Sequence, residues 1–288
     1  MKYWLKIADI KICILSDMVL YVDSPLLEFL TDCSDEASII INILEYKKND
    51  CLDRRKVGSD LLMQYYQGAN KWYCEADGKY GPVVRISYKE DFSEIKYEIN
   101  RKAYPDSVLS LSKVLQLFPM RQFLISQGAF LMHTSQVADQ ESGILFTGNS
   151  GIGKTTQAKL WEKYKNVKIL CNDRTVIKNI DNMWNTYGFP VDGSSPVFTN
   201  EKRKLNAIVV LEQAESNKIV RLRGREAIVP VMQQFIIDVW NHEMRYKAME
   251  YLLELLKDIP VYKLYCTPDE RAVRCLSERL QKDGIWNV

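Results

Sequence analysis

Residues 148–155 read Gly-Asn-Ser-Gly-Ile-Gly-Lys-Thr, a G-x-x-x-x-G-K-[ST] run. Such a run works only between a strand that delivers it and a helix that leaves it, so it constrains the fold before it says anything about chemistry. The flanks supply both. Gly143-Ile-Leu-Phe-Thr147 is short, apolar and β-prone, and Lys154 to Tyr164 places Ala158, Leu160 and Trp161 among polar residues as a helix would. The glycines let backbone N–H groups curl around phosphate oxygens, and the new helix points its positive end at them. Gly148, Asn149, Ser150, Gly151, Ile152, Gly153, Lys154, Thr155 and Thr156 are therefore the candidate nucleotide-binding residues. Lys154 would reach the β- and γ-phosphates, and the Thr155 hydroxyl would bind Mg²⁺.

Composition narrows the partners. The formal charge is +2 in 288 residues, which gives no electrostatic case for nucleic acid or an anionic membrane. Seven cysteines are scattered without a C-x-x-C pair, and no secretory signal opens the chain. Reduced thiols in a cytoplasm are the expectation, and a zinc site is not. No apolar run approaches the ~20 residues that cross a bilayer.

Two regions emerge along the chain. Residues 1–104 read as β-rich: Leu5 to Ile14 alternates in part as one half-buried strand, and Val83–Tyr88 and Ile95–Ile99 do the same. Asp77-Gly78 and Gly81-Pro82 are turn signals. Residues 105–288 read as the P-loop domain. Ser107 is the expected cap of a helix starting at Val108 and carrying Leu109, Leu111, Val114, Leu115 and Leu117, and a second helix is expected over Arg121–Phe130. Leu131–Val137 and Val167–Cys171 read as strands, and Thr175–Lys178 with Met183–Tyr187 as a hairpin about Asp181-Asn182. Ala207–Leu211 is the strongest buried-strand run. Arg225–Leu256 reads as helix interrupted near Asn241, then a strand to Tyr265 and a helix over Asp269–Lys282.

A phosphate loop still needs a carboxylate and something to position an acceptor. Asp173 and Glu212 both end apolar strands, and strand ends gather at one edge of an α/β sheet. Asp173 is the stronger candidate; either is also a common strand-end residue. His133 lies on the strand before the P-loop strand, whereas His242 sits in a polar helix break and reads as surface. Tyr187-Gly-Phe-Pro-Val-Asp-Gly193 is a candidate ligand-shaping loop or an ordinary surface loop. Arg203 and Lys204, in Glu201-Lys-Arg-Lys204, could neutralise a transferring phosphoryl group or line a solvated turn.

The order of these pieces resembles the HPr kinase/phosphorylase group. The carriers are a His-bearing strand, Gly143 to Thr155, a helix, and Ile169-Leu-Cys-Asn-Asp-Arg174. The stretches Tyr187-Gly-Phe-Pro, Gly193, Leu205 and Val261 to Asp269 look like the shorter relatives associated with ribosomally made, modified peptides, including serine kinases of lasso-peptide precursors. The resemblance covers residues 105–288. It implies a P-loop core like that of phosphoenolpyruvate carboxykinase, with a mixed sheet. It also implies Asp173 as activator of the acceptor hydroxyl, and His133 near the phosphates. Two departures stand out: the family's acidic pair is Asn172-Asp173 here, and its Glu after the P-loop hydroxyl residue is Thr156. The downstream glycine- and arginine-rich signature is also missing. These argue against HPr as substrate and against the reverse phosphorylase activity.

The expected protein is thus an α/β kinase using ATP and Mg²⁺, with Asp173, His133, Lys154 and Arg203 as catalytic candidates and Thr155 and Asp173 as metal candidates. Its expected acceptor is a serine on a peptide or small protein, selected in part by Trp72, Tyr73, Tyr187 or Phe189 unless these are core residues. Two alternatives remain at this stage: a regulatory or assembly ATPase without a hydroxyl acceptor, and a kinase of a small metabolite such as free serine.

Overall fold

The computed structural model describes residues 1–32, 36–48, 53–105, 110–190, 197 and 199–286. The expected helix start at Ser107, Val108 and Leu109 lies outside the described residues, as does Gly193. The chain is mixed α/β and divides into two compact units. The first holds the described residues up to Gln127, with Pro190 and 238–244. The second holds 128–189, the described residues from 197 to 237, and 245–286.

The first unit is β-rich. Its strands are β1 (Lys2–Ile7), β2 (Ile10–Ser16), β3 (Ile39–Glu45), β4 (Arg54–Ser59), β5 (Gln64–Gly68), β6 (Trp72–Ala76), β7 (Val84–Tyr88) and β8 (Ile95–Ile99). They form one mixed sheet in the order β1-β2-β3-β8-β7-β6-β5-β4, with β3 parallel to both neighbours. Leu5–Ile14 is therefore not one strand. Ala8 and Asp9 both adopt positive φ, 51° and 60°, and form a two-residue turn that sets Ile7 opposite Ile10. A turn of that hand matches the twist of the paired strands. Two helices follow, α1 (Leu111–Leu117) and α2 (Met120–Ser126). The Ser110 hydroxyl caps α1 by accepting from the Lys113 N–H at 3.2 Å. The second helix stops at Ser126 rather than reaching Phe130, because Gly128 turns left-handed at φ 70° and the chain enters a strand.

The second unit contains β9 (Ala129–Ala138), β10 (Ser142–Thr147), α3 (Lys154–Lys165), β11 (Lys168–Cys171), β12 (Arg174–Ile180), β13 (Met183–Gly188), β14 (Lys202–Gln213), β15 (Lys218–Leu222), α4 (Arg225–Met232), β16 (Phe235–Ile236), α5 (His242–Asp258), β17 (Val261–Cys266) and α6 (Glu270–Lys282). Its sheet is mixed: β10 runs parallel to β14 and β14 to β17, and the remaining pairs are antiparallel. Five strands close on themselves, β10-β9-β12-β13-β14 and back to β10. Asp181 and Asn182, at φ 51° and 63°, make the hairpin turn between β12 and β13. The basic run at Lys202–Lys204 is strand, not a solvated turn, so β14 begins well before Ala207.

Helix α3 is fastened to this sheet by Ala158 and Trp161, both fully buried. Trp161 packs with Phe146 beneath it and meets the Trp286 ring edge-on at 6.1 Å, while Val273, Leu276 and Leu280 of α6 join the same core. The Trp161 indole N–H has no hydrogen-bond partner, so its contribution is packing area and not polarity. Trp161→Ala should therefore cost about 3–5 kcal/mol, and Trp161→Phe much less, since it fills most of the space and removes an unpaired donor. Denaturant midpoints of the two variants check this; equal losses would count against the packing account.

Candidate functional site

Strand β9 exchanges its partners at one place. On one side it pairs with β10 through Thr134–Ala138 and with β16 through Leu131 and Met132. On the other it pairs with β11 through Gln136–Ala138 and with β12 through Ala129–His133. The crossover on both sides falls around His133 and Thr134. The His133 N–H donates to the Gln234 carbonyl at 2.8 Å, and the Thr134 N–H donates to the Asp173 carbonyl at 3.2 Å. Thr147, the last residue of β10, pairs with Thr134, and its hydroxyl donates to the His133 carbonyl at 3.0 Å.

The glycine loop leaves from that point. Gly148, Gly151 and Gly153 take positive φ of 137°, 77° and 108°, which side-chain-bearing residues rarely adopt. Gly148 has a second reason to be glycine: a Cβ there would stand 3.3 Å from the Leu211 carbonyl oxygen on the neighbouring strand. Gly153 then serves as the cap of α3, and Lys154 is its first residue. Thr155 and Thr156 are exposed, whereas Lys154 is only 8% exposed. The Lys154 ammonium donates to the carbonyls of Gly148 at 2.9 Å and Asn149 at 3.2 Å.

Asp173 comes from the short connection between β11 and β12. Its Oδ1 accepts from His133 Nε2 at 3.0 Å, with both side chains partly exposed. Burial pulls the His133 imidazole below its ordinary pKa and the Lys154 ammonium pulls it further, while Asp173 opposes both. Burial also lowers Lys154, again against the charge of Asp173. The loop, Lys154, His133 and Asp173 are thus in one electrostatic neighbourhood. Among the described residues no group of three or more His, Cys, Asp or Glu could hold a metal ion by itself.

Arg203 is not part of this neighbourhood. Its Cβ lies beside Gly143 at the start of β10, and Gly148 is five residues on, roughly 16 Å along a strand. Its guanidinium donates to the Asp139 carbonyl at 2.9 Å and to the Lys202 carbonyl at 2.8 Å, and pairs with Glu201. Glu212 is exposed and pairs with Lys263. Tyr187 and Phe189 are buried, at 2% and 5% exposure, so they are core residues rather than ligand-facing aromatics. Trp72 and Tyr73 belong to the first unit, on β6. His242 is exposed at the start of α5.

The sequence reading missed a cleft of about 530 Å³ on the other flank of the loop. Gly151, Ile152, Gly153, Thr156 and Gln157 form one wall; Gln213, Ala214, Glu215, Cys266, Thr267 and Pro268 form the other. The available signal was that β14 and β17 run parallel to the P-loop strand, so their final residues must arrive beside the loop.

The chain belongs to the SynChlorMet cassette protein ScmC family, whose sequence model matches residues 97–271, more than half of the chain. No curated relative matches it. Among solved structures it is similar to the Hpr(Ser) kinase/phosphatase from Coxiella burnetii, at 14% identity over 54% of this chain and 93% of that one, with a TM-score of 0.30. A likeness of that size carries no argument about fold or function. No helix among the described residues is long and apolar enough to cross a membrane.

His133 should titrate below the ordinary ~6.5 of an imidazole. A polyphosphate bound at the loop should move it back up, because added negative charge favours the imidazolium. With two histidines in the chain, proton resonances compared with a His133→Gln variant read this directly. A His133 pKa at or above the ordinary value would contradict the geometry. Because the folded pKa is depressed, the group favours unfolding as pH falls below its unfolded value, so His133→Gln should lessen the acid sensitivity of the melting temperature. Arg203→Ala, by contrast, should lower the melting temperature while leaving any nucleotide-dependent turnover within about twofold, since it touches only backbone carbonyls and Glu201.

Proposed function

We propose that the chain is an ATP- and Mg²⁺-dependent kinase of HPr-kinase-like type, which transfers the γ-phosphoryl group to the hydroxyl of a serine on a peptide or small protein. The observation that carries the reading is the placement of Lys154, His133 and Asp173 together at the mouth of a left-handed glycine loop that caps a helix. In this reading the loop amides and Lys154 hold the phosphates. Asp173 takes the acceptor proton, and His133 holds Asp173 in place through Oδ1. A bond forms between the hydroxyl oxygen and the γ-phosphorus as the bond to the β-bridging oxygen breaks; the proton goes to Asp173 and ADP leaves. Such transfer asks for positioning and charge stabilisation more than for covalent chemistry, so a short set of residues suffices.

The donor set fits magnesium, which takes oxygen ligands and keeps several waters. The exposed Thr155 hydroxyl and the Asp173 carboxylate would hold it with phosphate oxygens, and bound there it would neutralise phosphate charge. The peptide acceptor rests on the resemblance of residues 105–288 to the shorter HPr-kinase relatives. A P-loop kinase core and a cytoplasmic setting belong to the same proposal; the described cysteines Cys13, Cys74, Cys171, Cys266 and Cys275 are all free thiols.

Labelled ATP incubated with candidate peptides, with free serine and with neither separates the readings. Label on a peptide supports the proposal, label on serine replaces the acceptor, and phosphate release alone makes the protein an ATPase. Asp173→Asn should cut transfer by about 100-fold or more while ATP binding stays within a few-fold, because the amide keeps the His133 contact and loses the base. Lys154→Ala should weaken both. Normal transfer by Asp173→Asn would remove Asp173 from the mechanism.

A further inference from the structure

The loop has two flanks, and only one is occupied by His133, Lys154 and Asp173. None of those three lines the cleft on the other flank, which is walled by Thr156 and Gln157 of α3 and by the ends of β14 and β17. A nucleoside triphosphate is a linear ligand: if its reacting phosphate lies at one flank of the loop, its nucleoside must leave by another. We infer that the cleft between Thr156–Gln157 and Gln213–Pro268 is the nucleoside pocket of this chain, and that it holds the base of the nucleotide. The inference rests on the proposed phosphate site and adds the ligand's other half.

Three features of the cleft suit that ligand. Its volume is within the range of small-molecule sites and large enough for a nucleoside. Its walls are cross-braced by groups that do not need the ligand: the Asn217 amide donates to the Thr267 hydroxyl at 2.8 Å and its carbonyl accepts from the Thr267 N–H at 3.0 Å, while the Gln157 amide donates to the Thr267 carbonyl at 3.2 Å. Preformed walls lower the ordering cost of binding. Finally, Gln157 is 2% exposed, and its side-chain oxygen accepts no hydrogen bond. A buried amide oxygen without a donor costs free energy, and an N–H or O–H donor of a nucleoside would supply the missing partner. The Gln213 amide at the rim, beside the carbonyls of Gly151 and Ile152, links the pocket wall to the phosphate loop.

The test compares ATP with inorganic tripolyphosphate, which has the phosphates and no nucleoside, by titration calorimetry on the full chain. Ala214→Trp fills the cleft from the wall opposite the loop, and Gln157→Leu removes the orphan acceptor together with the amide that braces Thr267. Ala214→Trp should weaken ATP at least tenfold and Gln157→Leu severalfold, with tripolyphosphate affinity within twofold of wild type in both. ATP affinity that is unchanged, or that falls in step with tripolyphosphate, overturns the pocket and leaves the phosphate site standing. Wild type that binds neither ligand overturns the phosphate site, and the pocket with it.

Discussion

The structure around the candidate site depends on one close approach. Gly148 passes so near the Leu211 backbone that a Cβ would crowd its carbonyl, and this happens where the parallel pair β10–β14 ends. A side chain at Gly148 would ask the Leu211 backbone to give by a few tenths of an ångström and would strain the positive φ of 137°. Gly151 and Gly153 complete the turn in conformations closed to most residues, so that α3 starts with Lys154 aimed back across the loop. Packing holds the result. Trp161 and Ala158 fix α3 on the sheet two turns later, and the same core contains Phe146 from the strand before the loop. Strand, loop and helix are thus clamped from both ends, which is what a preorganised phosphate cradle requires.

Charge is the second layer. Lys154 and His133 are partly withdrawn from water and both are shifted toward their neutral forms by burial; Asp173 pulls both the other way. His133 and Lys154 also disfavour each other's charge. Of the two basic groups, His133 is thereby pushed toward its neutral form, with Nε2 directed at Asp173. Under the proposed function, triphosphate oxygens would replace the two carbonyls that Lys154 now contacts, setting an ion pair where the ammonium now meets uncharged acceptors.

Much of this was legible in the sequence, and the failures have physical causes. The loop, its strand and its helix were readable because glycine spacing and apolar patterning agree there. The Asp181-Asn182 hairpin was readable because both residues tolerate positive φ. Leu5–Ile14 was read as one strand although its apolar alternation changes phase between Ile7 and Ile10, and that break is the two-residue turn. Arg203 was a candidate on local charge alone; only the register of β14 against β10 puts it at the far end of the P-loop strand. Tyr187 and Phe189 read equally as ligand-facing or core aromatics, and only the fold decides for core. The cleft beside Thr156 was invisible for a related reason. Its walls come from three segments far apart in sequence, joined only by parallel pairing.

Asp173 is placed by the way β9 changes its partners. Most of β9 is committed to ladder bonds on both sides, and a side chain beside a continuous ladder is held at a fixed spacing from its neighbours. Near His133 and Thr134 those partners change on both sides, as β10 gives way to β16 and β11 to β12. Beside the ladder pairs of His133 with Arg174 and of Thr134 with Thr147, the His133 N–H donates to the Gln234 carbonyl, the Thr134 N–H to the Asp173 carbonyl and the Thr147 hydroxyl to the His133 carbonyl. There β11 ends, Asn172-Asp173 turns the chain, and the His133 imidazole meets the Asp173 carboxylate. It is also where β10 releases the glycine loop, so one exchange of strand partners brings the loop, the histidine and the aspartate together.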